Sequence, residues 1–128
     1  MSLNNHRLLP AIIWLVIVLI ALLTPGNNLP KTPTFPHADK LVHFGIFAVL
    51  TFLWCRVGTL NAENQLDWKK LLTNLLVFTI IFPILVEYLQ KYIPKRSFEY
   101  EDIVANLVGG LAGFVVFFLL YKAKSRLV

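Results

Sequence analysis

The stretch EYLQKYIPKRSFEYEDIVANLVGGLAG, residues 87–113, places polar side chains between and just inside two very apolar segments. These side chains are Glu87, Gln90, Arg96, Asp102 and Asn106. A charged group at membrane depth is costly unless it is paired, hydrated or close to the interface. The stretch therefore predicts a functional site, and the other segments of the chain are placed around it.

The composition indicates a membrane protein. The 128 residues are 57% hydrophobic and only 15% charged, which is unlike an ordinary soluble domain. The net charge of +5 does not indicate a nucleic-acid partner, because the basic residues are scattered in short loops and tails without a basic helix face. The single cysteine, Cys55, excludes an internal disulfide but leaves lipidation open.

Four apolar segments predict an all-α, four-helix membrane bundle that forms a single domain over residues 1–128. The predicted spans are 8–24, 39–57, 69–93 and 101–121. The first is about 25 Å long as a helix, close to the hydrocarbon thickness of a bilayer. A signal peptide is the alternative for this segment, but no A-x-A cleavage site follows it.

Prolines predict two irregular features. Those at positions 30, 33 and 36 favour an extended crossing between the first two spans, over residues 27–38. Pro83 lies inside the third span and cannot bond to the carbonyl of Thr79, so we expect a kink one turn before Glu87.

The basic residues predict the orientation. With both termini cytoplasmic, seven of the twelve lie inside, in agreement with the positive-inside bias. These seven are Arg7, Arg56, Lys69, Lys70, Lys122, Lys124 and Arg126. An even number of spans then brings the start of the second helix, the end of the third and the start of the fourth together at the extracytoplasmic face of a bacterial inner membrane.

Three pairs of polar residues are spaced to share helix faces. Members of each pair lie three or four residues apart, on one side of a helix: Asp39 with His43, Glu87 with Gln90, and Asp102 with Asn106. Together with Arg96, these residues form the predicted ligand-binding set. The three polar faces would enclose a pocket that opens to the outer leaflet.

The chemistry of this set favours an amphiphilic ligand. Arg96, aided by Lys40 or Lys95, would hold an anionic headgroup by charge-assisted hydrogen bonds. The candidates for proton transfer are His43, Glu87 and Asp39, with Asp39 holding one tautomer of His43. Whether the protein is an enzyme stays open at this point.

A structural role fits the same residues. Arg96 would then pair with Glu87 or Asp102 and fix the helix packing. The neighbouring charges are interpreted as solvated: Lys91, Glu99 and Glu101. No metal and no cofactor is predicted, because the chain has no H-E-x-x-H motif, no cysteine pair and no second histidine in a span.

Small residues on the fourth helix predict close helix contact. Ala105, Gly109 and Gly113 follow a small-xxx-small spacing, which lets a neighbouring backbone approach closely in lipid. Gly110 is assigned to the same packing surface.

Residues 38–50, ADKLVHFGIFAVL, combine with residues 87–113 into the ordered pattern D-K-x-x-H-F, E-x-x-Q, R, D-x-x-x-N and a glycine pair. This pattern resembles the VanZ-like family of small bacterial membrane proteins over about residues 35–122. The matching positions are Asp39, Lys40, His43, Phe44, Glu87, Gln90, Arg96, Asp102, Asn106, Gly109 and Gly110. The resemblance implies a multi-helix membrane protein, linked in some members to resistance to the glycopeptide antibiotic teicoplanin.

These observations lead to two functional hypotheses. In the first, the protein binds a membrane lipid or another amphiphilic envelope molecule, including a lipoglycopeptide antibiotic, and contributes to resistance or envelope homeostasis. In the second, it is a structural or assembly subunit whose glycine face meets a membrane-protein partner.

Overall fold

The computed structural model describes residues 3–25 and 37–128, and four long apolar helices account for most of them. They are α1 (Leu3–Leu23), α2 (Ala38–Cys55), a third helical span (Trp68–Gln90) and α5 (Tyr100–Lys122). Each is long and apolar enough to cross a membrane. The predicted all-α, four-helix bundle is confirmed, whereas most of the predicted proline-rich crossing lies outside the described residues.

The third span is irregular in its middle. It consists of α3 (Trp68–Leu75), a π-helical segment (Leu76–Ile81) and α4 (Phe82–Gln90). Pro83 follows the π-helical segment and lies in the first turn of α4, where a missing N–H is best tolerated. The irregularity expected at Pro83 is therefore a local widening of the helix before the proline.

The third span ends three residues earlier than predicted. After Gln90, the N–H groups of Lys91, Tyr92 and Ile93 each bond to the carbonyl three residues back, which tightens the chain. Pro94 follows directly, and a proline disfavours helical geometry in the residue before it. The segment after Gln90 is thus a turn that leads to α5.

The contact between α2 and α5 is the most extensive in the bundle. A β-carbon on Gly109 would overlap the carbonyl oxygen of Phe44, and one on Gly113 would overlap that of Ala48. Gly110 faces the third span, where a β-carbon would lie 2.6 Å from Cγ2 of Thr79. The glycines thus bring the α5 backbone against the α2 backbone, while Ala105 is half-buried one turn earlier.

Two apolar clusters hold the other helices. The first joins α1, α2 and α4 through Val18, Leu22, Phe47, Leu50 and Val86. The second joins α2, α3 and α5 through Cys55, Leu71 and Phe117. Many large apolar side chains on all four spans face outward, as expected for helices that contact lipid.

Candidate functional site

Four helix ends meet at one end of the bundle. We call this the polar end: the C-terminal end of α1, the first two turns of α2, the last turn of α4 with the turn that follows it, and the first two turns of α5. Side-chain bonds join each of these elements to at least one other. The structure thus brings the predicted polar residues of three helices to one level.

Lys40 is the centre of the charged part of this end. Its ammonium donates to the carboxylates of Asp39, Glu99 and Asp102, the first at 3.0 Å. The Lys40 side chain is only 16% exposed, and that of Asp102 only 9%. One lysine on α2 therefore holds the start of α5 through two carboxylates.

His43 lies one turn deeper and contacts α5. Its Nδ1 is 2.9 Å from Oδ1 of Asn106, and its Nε2 is 3.9 Å from Oδ2 of Asp102. The predicted pairing of His43 with Asp39 is wrong, because Asp39 is exposed and bonds to Lys40 instead. Asn106 is fully buried, and its Nδ2 has no partner among the described residues.

Glu87 is the most deeply placed carboxylate of the cluster, with no exposed surface. Its Oε1 accepts a hydrogen bond from the backbone N–H of Glu99 at 3.1 Å. Its Oε2 has no hydrogen-bond partner in residues 3–25 and 37–128. A buried carboxylate oxygen without a partner is costly unless the group is protonated or binds a cation.

Gln90 and Arg96 point to the end of α1. Nε2 of Gln90 donates to the carbonyl of Leu22 at 2.8 Å, and Arg96 donates to the carbonyls of Ala21 and Thr24 at 2.6 and 3.1 Å. The last carbonyls of a helix lack intrahelical partners, and a cation is favourable beside them. Burial lowers the pKa of Arg96, but a guanidinium stays charged in proteins.

The predicted pairing of Arg96 with Glu87 or Asp102 is therefore not found. No hydrogen bond or ion pair joins these side chains in the described part of the chain. The guanidinium is instead shared between two carbonyls of the first span. Arg96 attaches the α4–α5 turn to α1, with two of its five N–H groups donating to carbonyls at the end of that helix.

Glu99 belongs to the cluster although its charge was expected to be solvated. Its carboxylate accepts from Lys40, and its N–H donates to Glu87. A signal for this role was present in the sequence, since Glu99 lies three residues before Asp102. Two acidic residues at this spacing share one face of a helix start, so both reach the same partner.

A groove runs beside the cluster along the outer face of α2 and α5. It has a volume of about 410 Å³ and is lined mainly by apolar side chains. The lining residues are His37, Lys40, Leu41, Phe44, Glu101, Val104, Ala105 and Val108. Its polar members lie at the helix starts and its apolar members deeper, so the groove changes from polar to apolar with depth.

The opposite end of the bundle carries a basic cleft. Its volume is about 740 Å³, and its cationic lining residues are Arg7, Lys122, Lys124 and Arg126. Burial, together with the nearby charge of Arg7, lowers the pKa of Arg56. The concentration of positive charge at this end is the pattern expected of a cytoplasmic face.

The comparison with family models matches this sequence over residues 7–121, nearly the whole chain, to VanZ/LLP1. The chain belongs to the VanZ/LLP1 family. Neither the curated proteins nor the solved structures gave a match. With four candidate spans, this member of the VanZ/LLP1 family is a multi-pass membrane protein.

Proposed function

We propose that this VanZ/LLP1 protein binds an amphiphilic molecule of the cell envelope at its polar end. The apolar tail would lie in the α2/α5 groove, and the head would lie against the charged cluster around Lys40. Membrane lipids belong to this class of ligand, and so does a lipoglycopeptide such as teicoplanin. Binding would contribute to envelope homeostasis or to glycopeptide resistance.

The observation that carries the proposal is the position of Lys40. This side chain lines the groove and also bonds to the three carboxylates of the cluster. Leu41 and Phe44 continue the groove along α2, with Phe44 one turn deeper than Lys40, and Val108 lines it from α5. A molecule with a polar head and an apolar tail matches this order, because each part meets a surface of its own polarity.

The observed contacts of Arg96 and Lys40 argue against the bare anionic headgroup that was predicted from Arg96. The guanidinium is bonded to α1 carbonyls, and the charge of Lys40 is matched by carboxylates. The cluster around Lys40 thus offers carboxylate oxygens as acceptors for the head of a ligand. A head that carries hydroxyl or amine donors suits it better than a bare anion.

Native mass spectrometry of protein extracted with its membrane lipids tests the proposal. We expect a bound amphiphile on the wild type, and its loss in Val108→Trp, which fills the deep part of the groove. Val115→Trp is the matched control, since Val115 is equally exposed on α5 but does not line the groove. Retention by Val108→Trp, or equal loss from both variants, would contradict this placement.

The alternative function is a structural subunit, and it has its own supporting observation. Gln90, Arg96 and Lys40 already bond to the protein, as expected of groups that fix a fold. A wild type that carries no amphiphile but co-purifies with one membrane protein would favour this alternative.

We also propose that both termini are cytoplasmic, in the inner membrane, and that the polar end is extracytoplasmic. Ser97 and Glu63 are exposed in turns at opposite ends of the bundle. In a Cys55→Ala background, Ser97→Cys should react with an impermeant thiol reagent in intact cells, and Glu63→Cys should react only after lysis. The reverse labelling would invert the orientation.

A further inference from the structure

Three buried side chains of the polar end lie close together, and each has one polar atom bonded within the protein. These residues are His43, Glu87 and Asp102. Asn106 engages Nδ1 of His43, the N–H of Glu99 engages Oε1 of Glu87, and Lys40 engages Oδ1 of Asp102. One potential ligand atom from each of the three lies within 4.8 Å of the others.

The atoms left over are all electron-pair donors to a cation. Oδ1 of Asn106 only accepts hydrogen bonds, so Nδ1 of His43 carries the proton and Nε2 of a neutral ring has a free lone pair. This Nε2 faces Oδ2 of Asp102 at 3.9 Å, too far for a hydrogen bond. Oε2 of Glu87 is buried without a partner in the described part of the chain.

Carboxylates outnumber the cations that bond to them around these three side chains. Asp39, Glu99 and Asp102 all bond to the single ammonium of Lys40. No cation bonds to Glu87 among the described residues, although the side chain is completely buried. An ionised carboxylate in such a place needs a positive charge beside it, and without one the group takes up a proton instead. A divalent cation supplies that charge and also provides the missing partner of Oε2.

We propose that His43, Glu87 and Asp102 bind a divalent transition-metal ion, with Zn²⁺ the best fit. One imidazole nitrogen and two carboxylate oxygens are ligands that Zn²⁺ accepts at about 2.0–2.2 Å. Ligand atoms of a tetrahedral Zn²⁺ lie roughly 3.4 Å apart, so the 3.9 Å pair must approach by roughly 0.5 Å and the widest pair by at most roughly 1.4 Å, which side-chain rotation can supply. Mg²⁺ is expected to bind more weakly, since it prefers oxygen ligands.

The groups around the three ligands fit this assignment. A histidine that binds a metal usually donates its other N–H to an oxygen, which fixes the ring and the tautomer. Asn106 provides that oxygen for His43, while Lys40 and the N–H of Glu99 orient the two carboxylates. The proposal is independent of an amphiphile in the groove, because all three ligands are supplied by the protein.

Metal analysis of the full-length protein tests the proposal. The protein would be purified in detergent with a tag free of histidine, stripped with EDTA and titrated with Zn²⁺, Mn²⁺ or Mg²⁺. We expect one Zn²⁺ per chain by plasma mass spectrometry. X-ray absorption of this complex should show imidazole and oxygen ligands without sulfur. Both measurements use the wild type, so they decide the question even if a variant fails to fold.

Variants then assign the ligands. Glu87→Gln and His43→Gln should lower the Zn²⁺ affinity at least tenfold, and Asn106→Ala by about 10–100-fold through loss of the oriented ring. Glu101→Gln is the matched control, because it removes one negative charge from the same end at an exposed position that belongs to neither group of potential metal ligands. The Zn²⁺ affinity of this control should stay within about twofold of the wild type, since an exposed, hydrated charge that contacts none of the ligands interacts only weakly with the site.

Three results would overturn the proposal. The first is a wild type that binds no stoichiometric Zn²⁺, which would mean that Glu87 is buried as the neutral acid. The second is an equal loss of affinity in Glu101→Gln and Glu87→Gln, which would mean diffuse charge attraction. The third is a sulfur ligand in the absorption spectrum, which would assign the ion to Cys55.

Discussion

Gly113→Ala should be among the most destabilising single substitutions in this protein. A β-carbon at this position would overlap the carbonyl oxygen of Ala48 and lie 3.0 Å from its carbonyl carbon and 3.1 Å from the nitrogen of Phe52. These are main-chain atoms of α2, so no side chain can move aside. Overpacking a core costs typically about 1–3 kcal/mol, and we expect at least the upper value here. Thermal unfolding in detergent measures the loss.

Gly45→Ala is the control for that substitution. Gly45 lies within α2, is exposed, and would have no atom within 4 Å of an added β-carbon. Alanine is the better helix former by up to about 1 kcal/mol, so Gly45→Ala should melt at or slightly above the wild-type temperature. If both variants melted together, the close contact between α2 and α5 would be wrong.

The sequence was sufficient for the helices and for the small-residue surface of α5, because apolar length and glycine spacing depend only on local order. It did not show which helix meets that surface. The structure assigns Gly109 and Gly113 to α2, whereas Gly110 faces Thr79 on the third span. The π-helical segment before Pro83 was also beyond sequence reasoning, since a missing hydrogen bond allows a kink or a widened turn equally well.

As with the fold, the sequence predicted where the site lies but not which side chains bond to each other. An even number of spans and polar helix ends were enough to expect one polar end, and the structure places the seven predicted ligand-binding residues there. Side-chain partners were not predictable, because they depend on the lateral order of the helices. Gln90 and Arg96 reach the end of α1, and no motif in α1 indicated this neighbour.

The role of Lys40 as the shared partner of three carboxylates was not predictable from the sequence, for a related reason. In the sequence, Lys40 lies between Asp39 and His43, and the four-residue spacing of those two residues predicted a pair that did not include Lys40. Its three carboxylate partners include two that lie about sixty residues away, on the start of α5. Only the packing of α2 against α5 brings them together, and that packing depends on the glycines.

Lys40→Met should therefore strongly destabilise the protein while keeping the apolar stem of the side chain. The substitution leaves Asp39, Glu99 and Asp102 without their shared cation. Removing one partner of a buried ion pair costs about 3–5 kcal/mol, but the half-exposed Asp39 and Glu99 contribute much less than Asp102. We expect a loss of about 3 kcal/mol at pH 7, measured by thermal unfolding in detergent.

Two comparisons show whether the ion pairs cause this loss. Asp102→Asn in the Lys40→Met background removes the most buried unpaired charge, so the double variant should recover most of the stability. Lys95→Met removes an exposed lysine from the same end and should leave the melting temperature unchanged. A single variant that melts like the wild type at pH 7 would mean that Lys40 is held for a ligand and not for the fold.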